Sequence, residues 1–87
     1  MSFSVMDIAI GNYCTFSDGV TKRIFGYVYH HWVNWSITDA VIVECNNSYI
    51  WYPIDEIIDI KYSNTLYKNF CNPKVKLNSN RTVTFLR

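Results

Sequence analysis

Three cysteines (Cys14, Cys45, Cys71), the adjacent pair His30-His31 and the carboxylates Asp55, Glu56 and Asp59 are the side chains of this sequence suited to chemistry. A thiol beside an imidazole makes a nucleophile and its base, thiolates with imidazoles hold zinc, and paired carboxylates exchange protons. The spacing argues against each. Adjacent histidines in a strand point to opposite faces, so both rarely reach one ion, and no two cysteines stand at ligand spacing. No P-loop, G-x-S-x-G or H-E-x-x-H pattern is present. The three carboxylates fall on an expected surface turn, where solvated acids are the rule. No catalytic residue, metal or cofactor is therefore expected, and the chain reads as a binding protein.

Binding residues are easier to nominate. In Tyr27-Val28-Tyr29-His30-His31-Trp32-Val33-Asn34-Trp35, strict alternation places Tyr27, Tyr29, His31, Val33 and Trp35 on one face. Aromatic residues with a polar handle favour interface centres. Tyr27, Tyr29, His31 and Trp35, joined by Trp51 from a later strand, are the expected anchors. The competing reading is that a small domain fills its own core with these rings.

Charge is distributed unevenly. Residues 1–60 hold all seven acids against two bases, Lys22 and Arg23, while Lys61, Lys68, Lys74, Lys76, Arg81 and Arg87 follow with no acid among them. A net charge of +1 thus hides a body near −5 and a tail near +6. Such separation bears on partners and encounter rates, not on fold. Lys74, Lys76 and Arg81 are the expected steering or phosphate-binding charges. Six phosphate contacts on duplex DNA would give a salt slope of about −5. Tyr62, Tyr67 and Phe70 lie among these bases and suit stacking on unpaired bases. Alternatively the tail meets an acidic partner protein, or folds onto the acidic body and neutralises it.

The elements that must position these residues are strands. Alternation and β-formers dominate, and long helical periodicity is missing. A first strand is expected over 8–16, with Gly11 a bulge or tight turn, then a turn at Ser17-Asp18-Gly19. A long strand follows from Thr21 to about Trp35, with Gly26 an interior weak point suited to a bulge. Asp39–Cys45 and Tyr49–Tyr52 form a hairpin about Asn46-Asn47-Ser48, stopped by Pro53. A helical turn at Asp55-Glu56 leads into a strand over 57–62. A last hairpin pairs 74–77 with 81–86 about Asn78-Ser79-Asn80. Val75, Leu77, Val83 and Phe85 share one of its faces, and Lys74, Lys76, Thr82 and Thr84 the other.

Eighty-seven residues make one domain, here a body over 8–60 and a basic segment with a hairpin over 61–87. Nearly half the residues are apolar and 17% aromatic, enough for a real core. An odd number of widely spaced cysteines points to reduced thiols in a cytoplasmic setting. The N-terminal residues lack the basic and apolar regions of a signal peptide, and no apolar run reaches membrane-spanning length. Ten isoleucines and nine asparagines against two alanines and three glycines suggest an AT-rich genome, that of a low-GC bacterium, a parasite or a phage, and the small size of the chain favours the phage.

Ile10-Gly11-Asn12-Tyr13-Cys14-Thr15-Phe16-Ser17-Asp18-Gly19, followed by Ile24-Phe25-Gly26-Tyr27-Val28, resembles the opening hairpin of SH3-like small barrels. Val41-Ile42-Val43, Tyr49-Ile50-Trp51-Tyr52-Pro53 and Asp55-Glu56-Ile57 resemble the later hairpin and 3₁₀ turn of such modules. Asn12 and Cys14 depart from the usual apolar rhythm, residues 31–38 are longer and more aromatic than a plain turn, and the basic tail lies outside the likeness. The resemblance implies a small, partly open all-β barrel of five to seven antiparallel strands. Such barrels bind proline-rich peptides, nucleic acid or protein partners, so it limits architecture more than function. The resulting expectation is a non-enzymatic binding module, a phage accessory or inhibitory protein docking on a host protein. Nucleic acid is the alternative partner, and no membrane is expected.

Overall fold

The computed structural model describes residues 8, 10–33, 36–63 and 74–86, without the side chains of 30–38. Lys68, Arg87, Tyr67, Phe70, Cys71, Trp35 and the side chain of His31, all singled out above, lie outside the described residues. Within them the protein is all-β. The strands are β1 (Tyr13–Phe16), β2 (Thr21–Val33), β3 (Ser36–Cys45), β4 (Ser48–Pro53), β5 (Ile57–Lys61), β6 (Val75–Leu77) and β7 (Val83–Phe85). A 3₁₀ turn, Ile54–Glu56, joins β4 to β5.

Turn chemistry accounts for the connections. Between β1 and β2, Asp18 Oδ1 accepts from the Val20 amide at 3.0 Å, and Gly19 takes the positive φ of 86°. Asn46 and Asn47 both have positive φ, 48° and 66°, the backbone of a two-residue turn whose twist matches the flanking strands. The first strand begins at Tyr13, five residues later than expected from alternation. Gly11, at φ 98°, turns the chain so that its amide bonds Ile24, and the Ile24 amide bonds Asn12. Ile8 still reaches the core.

The first five strands form one antiparallel sheet in the order β4-β3-β2-β1-β5, and β6 and β7 form a separate hairpin. The larger sheet curls strongly. Phe16 on β1 stacks on Tyr52 on β4, with centroids 3.9 Å apart and planes within 7°, although two strands separate them in the sheet. It does not close, since β4 and β5 do not pair.

Pairing register assigns the two faces. Cys14, Phe16, Ile24, Tyr27, Val41, Val43, Tyr52 and Ile57 fill the inner, concave side. Ala40, Ile42 and Trp51 face outward and are covered by Val75 and Leu77 of the hairpin, with Phe25, Val28, Tyr49 and Val83 packed around them. A bulge makes this division possible. Between Ile24 and Gly26 the register gains one residue against β3, so Phe25 goes to the outer core while Ile24 and Tyr27 both stay inside.

Candidate functional site

Two residues expected to face a partner meet one another instead. Trp51 is buried under the turn of the last hairpin. Its indole Nε1 donates to the Asn78 carbonyl at 2.8 Å, and its backbone amide donates to the Arg81 carbonyl at 2.9 Å. The Arg81 guanidinium lies 4.9 Å from the Trp51 ring and 5.7 Å from that of Tyr52. Its Nη2 donates to Glu56 Oε2 at 2.7 Å. Arg81 reaches this position from a left-handed backbone, φ 71°, that reverses the chain after Asn78. The indole, the cation and the carboxylate therefore dock the basic hairpin on the acidic body.

Tyr27 also lies inside. It is 4% exposed, and its hydroxyl donates to Asp39 Oδ2 at 3.0 Å. Burial, and then the bond to Asp39, pushes its phenol up from the ordinary range. Tyr52 is built alike: its hydroxyl donates to Asp18 Oδ2 at 2.9 Å, and burial followed by that bond pushes the phenol up to about 12. The Asp18 carboxyl is held low, by the Val20 amide first and then by Tyr52 and Arg81. Of the expected aromatic anchors, Tyr29 is the one described side chain that faces solvent, 51% exposed with its ring 4.4 Å from that of Tyr27. The pairing shifts register between Val28 and His31, so an unbroken alternation from Tyr27 to Trp35 does not apply. His31 itself pairs with Thr38.

Lys74 and Lys76 are exposed, alternating with the buried Val75 and Leu77 and so facing away from the sheet. At the open end of the hairpin, Phe85 meets Phe25 and Tyr49 edge-on, at 6.3 and 5.0 Å between centroids. The rings of Phe25 and Tyr49 are 4.6 Å apart. Phe85 and Leu86 remain about half exposed (43% and 53%), and the Leu86 amide donates to the Lys74 carbonyl at 2.8 Å. The open end of the hairpin thus exposes an aromatic ring cluster and, next in the chain, Leu86 paired through its backbone with Lys74.

A second surface was missed in the sequence. The register sets Arg23, Tyr13 and Lys61 in one row across β2, β1 and β5 on the outer side of the sheet. The signal was present in part: alternation with the buried Cys14 and Phe16 turns Tyr13 outward. Arg23, however, counted only as one of two bases in an acidic half, and its neighbours depend on pairing.

Burial, and then the negative charge of Asp59, pushes the Cys14 thiol up to about 12, which disfavours its thiolate near neutral pH. Among the described residues no group of three or more His, Cys, Asp or Glu side chains is placed to hold a metal ion. No described helix is long and apolar enough to cross a membrane. Comparison with protein-family models, with curated proteins and with solved structures gave no match.

Proposed function

We propose that this chain is a non-enzymatic binding module of SH3-like type that docks on a partner protein through the open end of its C-terminal hairpin. The observation that carries the reading is the ring cluster Phe25–Tyr49–Phe85, followed in the chain by the exposed Leu86, whose amide bonds the carbonyl of the exposed Lys74. Interfaces favour an aromatic centre inside a polar rim, with rim charges acting mainly on the on-rate. The SH3-like assignment draws support from the order β4-β3-β2-β1-β5 and from a 3₁₀ turn placed between β4 and β5. Composition is in keeping with a phage protein, and for such a protein the proposed partner is a host protein in the host cytoplasm.

The test is capture from bacterial lysate by the full chain and by a Phe85→Ser, Leu86→Ser double variant, with thermal melts to confirm that both fold. One protein held by the parent in high salt and lost by the variant is the expected result. Identical capture by both chains would remove the patch from the argument.

A further inference from the structure

The hairpin covers the outer face over β4, β3 and part of β2, while β1 and β5 present a different surface. There Arg23, Tyr13 and Lys61 stand side by side, and the next row holds Thr21, Thr15 and Asp59. Directly opposed residues are about 4.5–5.5 Å apart at Cα, so each row sets its side chains next to one another. Tyr13 is 40% exposed and Lys61 is exposed. The Arg23 guanidinium lies over the Tyr13 ring at 5.8 Å, and its Nε donates to the Gly11 carbonyl at 2.9 Å, which fixes cation and ring together. The Thr15 and Thr21 hydroxyls are bonded to each other at 2.8 Å. An accessible ring is thus flanked by cations on both neighbouring strands.

Three of the six described acids are engaged away from the row, while Glu44, opposite Tyr49 on β3, and Asp55, in the 3₁₀ turn, are exposed. Asp39 bonds Tyr27 and Asp18 bonds Tyr52, both on the inner side, while Glu56 is engaged by Arg81. Lys74 and Lys76 project outward from the hairpin that covers the rest of the outer face. Asp59, two residues from Lys61 and on the same side, is the opposing charge at one end of the neighbouring row.

We infer that the Arg23–Tyr13–Lys61 row is a stacking platform for single-stranded nucleic acid. Tyr13 takes a base on its ring, Arg23 and Lys61 take the flanking phosphates, and Lys74 and Lys76 extend the positive track. A strand with unpaired bases matches both parts of the row, because each nucleotide brings a π-face together with a phosphate. An acidic protein segment would satisfy the cations and leave the ring without a role. A duplex hides its base faces and would meet the cations alone. The inference goes beyond the protein-docking proposal and rests on a different surface, with Lys74 alone common to both.

The test is fluorescence anisotropy of the full chain with a labelled oligothymidylate of about twelve nucleotides, within the range of known single-strand site sizes. The single strand should bind more tightly than a duplex of equal length. Tyr13→Ala should weaken binding by about 5- to 100-fold, with Tyr13→Phe close to the parent, since stacking needs the ring alone. Lys61→Gln should make the salt slope shallower by about 0.7, one phosphate on a single strand. Asp59→Asn should tighten binding. The Phe85→Ser, Leu86→Ser chain should bind the oligonucleotide as the parent does, so each proposal fails without the other. Absence of binding at low salt, a Tyr13→Ala chain equal to the parent, or equal affinity for polyglutamate would each overturn the assignment. The last of these would place an acidic protein segment on the row.

Discussion

On the inner side of the sheet the buried tyrosines find counter-groups within the strands and turns that form the sheet: Tyr27 bonds Asp39 and Tyr52 bonds Asp18. On the outer side Trp51 has no such local partner. Its indole, its amide and its ring are all satisfied by residues of the last hairpin, Asn78 and Arg81. The inner core is thus assembled from the first sixty or so residues, while the outer core waits for a hairpin whose strands are three residues each. A hairpin of that size is marginal alone and depends on the face it covers. The sheet should therefore be the unit of stability and the hairpin its dependent.

Phe16 and Leu77 offer the strongest way to break that ordering. Phe16 is fully buried and stacked on Tyr52, and Phe16→Ala should cost about 3–5 kcal/mol, much of the stability of a domain this size. Leu77→Ala, in the hairpin, should fall near the lower end of the roughly 2–5 kcal/mol usual for such truncations. Denaturant midpoints supply the comparison. Equal losses would mean that the hairpin is as integral to the fold as the sheet.

The difference between the two sides also separates what could be read in the sequence from what could not. The β3–β4 hairpin and its Asn46-Asn47 turn were legible because alternation and turn chemistry are local. The same holds for the hairpin faces, where Val75 and Leu77 are buried and Lys74 and Lys76 exposed. The 3₁₀ turn at Ile54–Glu56 followed by a strand was also expected. Gly26 marks a weak point in the sequence and a bulge lies beside it, but the effect of that bulge on the faces is not legible from local pattern. One extra residue redirects every side chain that follows, so the burial of Tyr27 and the outward turn of Phe25 required the register. The meeting of Trp51, Glu56 and Arg81 was invisible for another reason: thirty residues separate Trp51 from Arg81, and only the docking of the hairpin brings them together. The candidate row Arg23–Tyr13–Lys61 depends on the same kind of long-range pairing.

Arg81 sharpens the contrast at intermediate size, since its side chain and its backbone both serve the docking. The pair with Glu56 is partly exposed and contributes about 0.2–1 kcal/mol, and the cation over Trp51 about 0.5–1 kcal/mol. Arg81→Ala should therefore cost roughly 1–2 kcal/mol. Arg81→Gly loses the same contacts but relieves an L-residue of its left-handed conformation, recovering about 1 kcal/mol. Glycine more stable than alanine at this position would show the backbone contributing beside the guanidinium. Equal midpoints for the two variants would remove the backbone from the account.

The smallest effect separates the two sides by pH. Tyr52 keeps its proton in the folded chain up to about pH 12, whereas an unfolded tyrosine ionises near 10. Because the native state holds the extra proton, this contribution is complete below pH 10 and is lost as pH rises towards 12. Tyr52→Phe has no proton to retain there, so its stability should decline less steeply than the parent's across that window. It should cost about 1 kcal/mol at neutral pH for the lost bond to Asp18. Trp51→Phe, on the outer side, removes an indole that does not titrate, and should leave the alkaline slope of the parent unchanged while lowering the whole curve. Denaturant midpoints across the alkaline range measure both. A Tyr52→Phe slope equal to the parent's would mean that the Asp18 bond does not hold the phenolic proton, and Tyr27, bonded to Asp39, would then be the inner tyrosine left to carry an alkaline signature.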